Sequence, residues 1–451
     1  MRGRRTLASA ALLVAASLPG AALRAQDTAR ARPPSRTITL QQAIGIALAQ
    51  NSTVRVARNA TSLDSLDVRL ARNQFLPSLS ATSGASRRVL SGSDGRNDFG
   101  ASASVSSGMT LFDGGQNANA LRQAQRNLRA TQFDLARTRQ AVVFTVATDF
   151  LDLITQQEQV RVQQENLSAQ EQELAQLQEF VRLGTRPIGD VYQQEAAVAS
   201  TRLALVNARR GASVAEVNLV QELVLDPRVE WVFETPAPSE TPPAQRSFRL
   251  DSLMDVAMIR RVDIEAQRSR VHAAEAAVAI ARGERLPTVT GSAGFSSEYT
   301  NGDEVGFLRQ LDARRGGSIG VGVAIPIFDR GAASIDRQRA RLRLDDELLA
   351  LRDEEQTVAL EVRRAYLDYS AAQEQLAAAT AQQQAAALAL QAAQARYRVG
   401  AATFIEVTLA RATLIQAQSA VVSARSAVTF QQALMSYYTG VLDPTNVSIA
   451  R

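Results

Sequence analysis

Residues 114–183 read GGQNANALRQAQRNLRATQFDLARTRQAVVFTVATDFLDLITQQEQVRVQQENLSAQEQELAQLQEFVRL, and this stretch decides the fold. It holds no proline, and no glycine after Gly115. Leu121, Leu128, Leu135 and Val142 recur every seven positions. Val146, Leu153, Val160, Leu167, Leu174 and Val181 form a second series offset by four. That spacing is an apolar seam along one face of a single helix. At ~1.5 Å per residue such a helix is roughly 105 Å long, too long for a globular core, so it must pack on other long helices. A second rod of the same kind runs over residues 331–399.

The segments around the rods supply the rest of one unit. Residues 39–51 make a short amphipathic helix with Leu40, Ala43, Ile44, Ala47 and Leu48 on one face and Thr39 as its N-cap. A helix over 52–73 ends before Leu76-Pro77, because a residue preceding proline is pushed out of the helical region. From there to Phe112 the period falls from seven to two. Phe99, Ala101, Ala103, Val105, Met109 and Leu111 alternate with Gly100, Ser102, Ser104, Ser106, Gly108 and Thr110, and Ser91-Gly92-Ser93-Asp94-Gly95 is the turn of a strand pair. The rod ends at Leu183-Gly184, and a return helix follows Pro187 to about residue 225.

The unit then repeats. Leu286-Pro287 matches Leu76-Pro77 at an offset of 210, while Ile327-Phe328-Asp329 matches Leu111-Phe112-Asp113 and Gly400 matches Gly184 at 216. The change of offset falls between the paired strands and places a six-residue insertion in the loop from Asn301 to Gly317. In the second pair, Ile319, Val321, Val323, Ile325 and Ile327 face one way, and Ser318, Gly320, Gly322, Ala324 and Pro326 the other. The expected organisation is a signal peptide at 1–25, an N-terminal linker at 26–38 and a first repeat at 39–225 (helices 39–73, strands 76–112, helices 114–225). A connector at 226–248, a second repeat at 249–440 (helices 249–284, strands 286–328, helices 331–440) and a C-terminal tail at 441–451 complete it. A return helix with the pre-strand helix stacked on its end would line all but about ten residues of the rod.

Composition narrows the function. Arg2, Arg4 and Arg5, an apolar run over 7–18 and Leu23-Arg24-Ala25 read as an export signal. Its removal lowers the net charge from +5 to about +1, so the basic balance says little for nucleic-acid binding. No run of 18 apolar residues exists, and there is no cysteine for a disulfide or an N-terminal lipid. Four strands with one apolar face make half of a small sandwich or, if the protein sits in a membrane, its lipid-facing strands. Four strands cannot close a membrane barrel, which requires an oligomer; two or three copies both satisfy that requirement. His272 is a lone histidine, Asp353-Glu354-Glu355 is a solvated helix face, and the glycine pairs lack phosphate-loop spacing. No nucleophile with an oriented base is visible, so no enzymatic activity, cofactor or metal is expected.

The duplicated Leu-Pro before each strand pair carries a resemblance. So do the exits Leu-Phe-Asp-Gly-Gly and Ile-Phe-Asp-Arg-Gly and the turn Arg-Tyr-Arg-Val-Gly at 396–400. Over nearly its whole length the chain resembles TolC-like outer-membrane efflux proteins. The resemblance implies a mainly α chain with a membrane β-barrel portion. Duplicated long-helix hairpins form a trimeric α-barrel, and four strands per chain build a 12-stranded barrel. It implies a homotrimer in outer-membrane lipid with a periplasmic helical extension. Its partners are a periplasmic adaptor and an inner-membrane pump, and its role is the exit duct of a tripartite efflux or type I secretion system. The two turns, Leu183, Gly184 and Thr185 with Val399, Gly400 and Ala401, fall where adaptors dock. Asp190 and Tyr397 fall on gate-linking positions, Glu406 on an acidic ring, and Leu409 on a second ring position that is not acidic here. The gate arginine falls on Ala402, so that link is missing. Without the resemblance, a secreted or periplasmic coiled-coil scaffold with a small soluble β-sandwich fits the same pattern.

Overall fold

The computed structural model describes residues 36–87, 99–234, 247–301 and 306–442. The signal segment, most of the linker, the Ser91–Gly95 turn, the proline-rich middle of the connector and the tail beyond residue 442 lie outside the described residues.

The first half runs β1 (Arg36–Ile38), α1 (Leu40–Gln50), α2 (Ser52–Asn73), β2 (Ser78–Arg87), β3 (Phe99–Phe112), α3 (Gln116–Arg182) and α4 (Ile188–Glu222). After β4 (Trp231–Phe233) the second half runs α5 (Leu250–Arg260), α6 (Val262–Gly283), β5 (Thr288–Thr300), α7 (Phe307–Ala313), β6 (Gly316–Ala324), α8 (Ala332–Arg398) and α9 (Phe404–Tyr438). The two rods, α3 and α8, have 67 residues each, and the two return helices, α4 and α9, have 35 each. Helix starts differ by 210 before the strands and by 216 after them.

The motif at each strand exit has a local cause. Asp113 accepts the N–H groups of Gly115 at 3.0 Å and Asn117 at 2.7 Å, and so caps the first turn of α3. Asp329 does the same for Gly331 and Ala333. Gly114 has φ +69°, and a Cβ there would lie 2.6 Å from the Gly283 carbonyl, so the rod can start against the end of α6 only with glycine.

The strands form one antiparallel sheet in the order β2-β3-β5-β6, open at both edges within one chain. In register, Val105 opposes Phe295 and Ala81, and Val323 opposes Val289. One face is therefore apolar, and the other is Ser, Thr and Gly. Three strand bounds differ from expectation. The strands start after each Leu-Pro, at Ser78 and Thr288, and β6 stops at Ala324 instead of reaching 328. Pro326 has no N–H to donate to the ladder. The insertion loop contains a helix, α7, where only a loop is expected. The linker and connector also contribute structure: β1 pairs in parallel with β4, Ile38 opposite Phe233.

Each return helix folds back along its rod, and the pre-strand helix continues the line. Asn51 marks the junction in the first half. Its side chain accepts from Thr53 N at the start of α2 and donates to Glu222 at the end of α4, 2.9 Å in each case. Helix α1 and the β1–β4 ribbon cover that junction, where Ile44, Ala47, Val54, Val143, Val146, Phe150, Leu219 and Phe233 form the largest core cluster. The stretch of rod left bare by the helix lengths is thus filled by α1. In the second half Arg261 stands at the position of Asn51. It is 2 % exposed and bonded to Asp263 at 2.6 Å and Glu361 at 2.8 Å. The halves join through α3, which packs on α6 and α9. Phe144 stacks on Tyr437 with ring centroids 4.8 Å apart, Arg137 lies 3.9 Å over the same ring, and Gln159 donates to the Ser419 carbonyl at 3.0 Å.

Candidate periplasmic gate and helical tips

Both rods end in the same turn. Gly184 and Gly400 have φ +72° and +77°, which only glycine adopts without strain. Beyond each, an N–H reaches back over the last helical turn, Thr185 to the Phe180 carbonyl at 2.9 Å and Ala401 to the Arg396 carbonyl at 2.8 Å. Leu183, Gly184, Thr185, Val399, Gly400 and Ala401 are all exposed. The two turns lie side by side, because Arg186 donates from one to the Tyr397 and Arg398 carbonyls of the other, at 2.7 and 3.3 Å.

Behind the turns Tyr397, on the last turn of α8, donates its hydroxyl to Asp190, on the first turn of α4, at 2.5 Å. The Tyr397 ring packs on Phe404 at 5.5 Å and under the Arg186 guanidinium at 4.1 Å. Burial, the bond to Asp190 and that residue's negative charge push the Tyr397 hydroxyl well above the usual tyrosine range; Arg186 opposes them. Tyr397 therefore remains a donor at physiological pH. Leu177, Val191 and Phe404 are buried behind this pair, and Arg411 pairs with Glu173 next to them.

Glu406 takes partners other than Tyr397 and Asp190. It closes the capping box of α9 with Thr403 and sits 3.2 Å from Arg396. Leu409 is exposed on the same helix. Arg186 and the Arg411–Glu173 pair are the residues that reading the sequence misses. One signal for Arg186 was available: it lies 216 residues before Ala402, so the arginine absent from one repeat stands at the equivalent position of the other.

These groups can make and break polar links between helices. Among the described residues no cluster of metal-ligating side chains accompanies them. The model of the outer membrane efflux protein family matches residues 43–223 and 253–440, which together are most of the chain. This chain belongs to that family. Its two matched blocks coincide with the two repeats, and they leave out the segment between them. This efflux protein is 29 % identical to the pyoverdine export outer membrane protein OpmQ of Pseudomonas aeruginosa, over 79 % of this chain and 76 % of that protein. It is 30 % identical to the protein CyaE of Bordetella pertussis, over 86 % and 79 %. Among solved structures it resembles CusC, with a TM-score of 0.78 at 19 % identity over 89 % of this chain and 92 % of that one. It also resembles VceC of Vibrio cholerae, with a TM-score of 0.74 at 20 % identity over 89 % and 96 %. The efflux protein resides in the outer membrane and serves as an exit duct, and its family is one of channels, not of enzymes.

Proposed function

We propose that three copies of this chain assemble the duct, pooling their strands into a 12-stranded barrel in outer-membrane lipid and their rods into a periplasmic α-barrel. The observation that carries this reading is the sheet. It is open at β2 and β6, and its apolar face is bare: Leu79, Val105, Phe295, Val321 and Val323 are exposed, and Ile319 is 91 % exposed. Hydrocarbon suits that face, and hydrocarbon does not tolerate open edges. Two copies would give eight strands, a barrel whose interior side chains fill; the Ser, Thr and Gly of the opposite face suit a wider, water-filled lumen.

At the far end the two turns receive a periplasmic adaptor, which connects the duct to an inner-membrane pump that supplies the energy. The Tyr397–Asp190 bond is the gate link inside each protomer, with Arg186 replacing the arginine missing at Ala402. Glu406, held by Arg396, contributes one acidic group per copy to the entrance. The substrate passes without chemical change.

Reconstitution tests the reading. The detergent-purified protein is expected to have the mass of three chains and to conduct ions in planar bilayers. A monomer that dissolves in buffer without detergent, and leaves bilayers silent, would instead identify a soluble coiled-coil scaffold.

A further inference from the structure

The six residues by which the second strand pair exceeds the first lie in the loop that carries α7. That helix buries a glutamine and leaves a leucine and part of a phenylalanine bare, beside exposed Arg309 and Asp312. The side chain it buries toward the sheet is Gln310, 2 % exposed, whereas Phe307 keeps one side of its ring on the sheet and stays half exposed, and Leu308 is 78 % exposed. Gln310 works as a surrogate strand residue. Its amide oxygen accepts from Thr300 N at 2.8 Å, and its amide nitrogen donates to Thr300 O at 2.9 Å, pinning α7 to the end of β5. Ser297 donates its hydroxyl to the Leu311 carbonyl at 2.6 Å.

The face on which α7 is pinned can be read from the alternation of β5. Ser297 and Tyr299 stand on the same side as Val289, Ala293 and Phe295, the apolar side. The Phe307 ring meets Tyr299 at 4.8 Å, and Tyr299 meets Phe99 at 6.2 Å. The three rings form an aromatic cluster at the end of the sheet remote from the rods. Arg314, 3.8 Å from Glu298, and Arg315, 2.8 Å from Asp312, lie just beyond it. In water a short helix buries its apolar side chains and exposes its amides. A buried glutamine with bare Leu308 and Phe307 beside exposed charges, continuous with a lipid-facing surface and bordered by aromatic rings and arginines, suits the boundary between acyl chains and headgroups.

We propose that α7 is an interfacial anchor. It lies against the outside of the barrel at the outer-leaflet rim, with Phe307 and Leu308 inserted among acyl chains. The partner is the lipid surface. The inference rests on the membrane assignment of the sheet's apolar face, so its test carries a separate probe for that assignment. In a Trp231→Phe background, which removes the only tryptophan, Leu308→Trp reports on the anchor and Val321→Trp on the middle of the strand face. The full-length protein is reconstituted into phosphatidylcholine vesicles containing phosphatidylcholine brominated on its acyl chains. With bromine near the headgroup, Leu308→Trp is expected to lose about half its emission, and Val321→Trp to lose a similar share with bromine deep in the chain. Iodide in the buffer is expected to leave both nearly unchanged. If Val321→Trp responds to brominated lipid while Leu308→Trp is quenched only by iodide, α7 stands in water and the anchor is overturned, with the barrel left intact. If neither responds to lipid, both inferences fail.

Discussion

Asp149 shows how one residue records the packing around it. The first heptad series, Leu121 to Val142, has its next position at 149, and an aspartate stands there as the seam shifts to Val146 and Leu153. Burial pushes this carboxyl up to about 6, with the charges of Glu222 and Asp152 adding to the effect. Glu222 is itself raised by burial. For an acid whose pKa is higher in the folded state than in the unfolded one, folding binds protons between the two values, so stability falls as pH rises through that interval. Asp149 thus costs nothing near pH 4, and its full cost is present above pH 6. Asp149→Asn is expected to raise Tm by about 1–2 °C at pH 7.5 and to leave it unchanged at pH 4, a comparison that scanning calorimetry makes directly. An equal gain at both values would assign the effect to packing. The polar break in the heptad was visible in the sequence. Its burial was not, because α1 and α4, which are distant along the chain, close over it. Arg186 illustrates the same limit: its type and repeat position were legible, but the carbonyls it reaches belong to residues more than 200 positions away.

At the scale of elements, what was legible followed from local rules. A seven-residue period specifies a rod, a proline stops one, and a glycine after the last turn caps one, which is why α3, α4, α8 and α9 could be read from the chain. The elements that escaped have no period to display. β1 and β4 are three residues each and exist only as partners, and α7 depends on one glutamine reaching the backbone of β5. The link between α4 and α8 lies between these cases, because the resemblance named Tyr397 and Asp190 while the bond itself is a fact of packing. Tyr397→Phe tests its role cleanly, since the ring keeps its contacts with Arg186 and Phe404 and only the donor is lost. A hydrogen bond to a charged group contributes about 1.5–3 kcal/mol, so losing it from every copy of the proposed trimer is expected to raise the resting single-channel conductance severalfold with little change in Tm. Asp190→Asn added to Tyr397→Phe is expected to add little, because both substitutions act on one bond. Unchanged conductance in Tyr397→Phe would leave the bond as a structural tie only.

On the scale of the molecule, the duplication predicts what one chain leaves uncovered. In the second repeat α6 lies between α8 of its own repeat and α3 of the other, and it buries Ala266, Ala273 and Ala276. The equivalent residues of α2 are Val56, Leu63 and Leu66, all larger and all exposed. Helix α2 packs along one rod, α3, and touches α1 only at its start, so its second rod is missing from the chain. The rod equivalent to α3 is α8, which exposes Leu360 and Leu367 at the positions where α3 presents Phe144 and the buried Leu151. Within the chain α3 packs on both α6 and α9, Phe144 meeting Phe430 and Tyr437 of α9, so a neighbouring copy that offers its α8 to α2 and α4 of this one would repeat that packing between chains, and successive copies would close a ring. Burial of a leucine contributes about 2 kcal/mol at each interface, and a carboxylate in its place adds a desolvation penalty. Leu63→Asp combined with Leu66→Asp is therefore expected to reduce the purified protein from three chains to one, as read by light scattering in detergent, and to abolish conductance. The far-ultraviolet circular dichroism of the long helices should be preserved, because α2 keeps its face on α3. A double variant that still ran as a conducting assembly of three would show that this face meets solvent and that the copies join elsewhere.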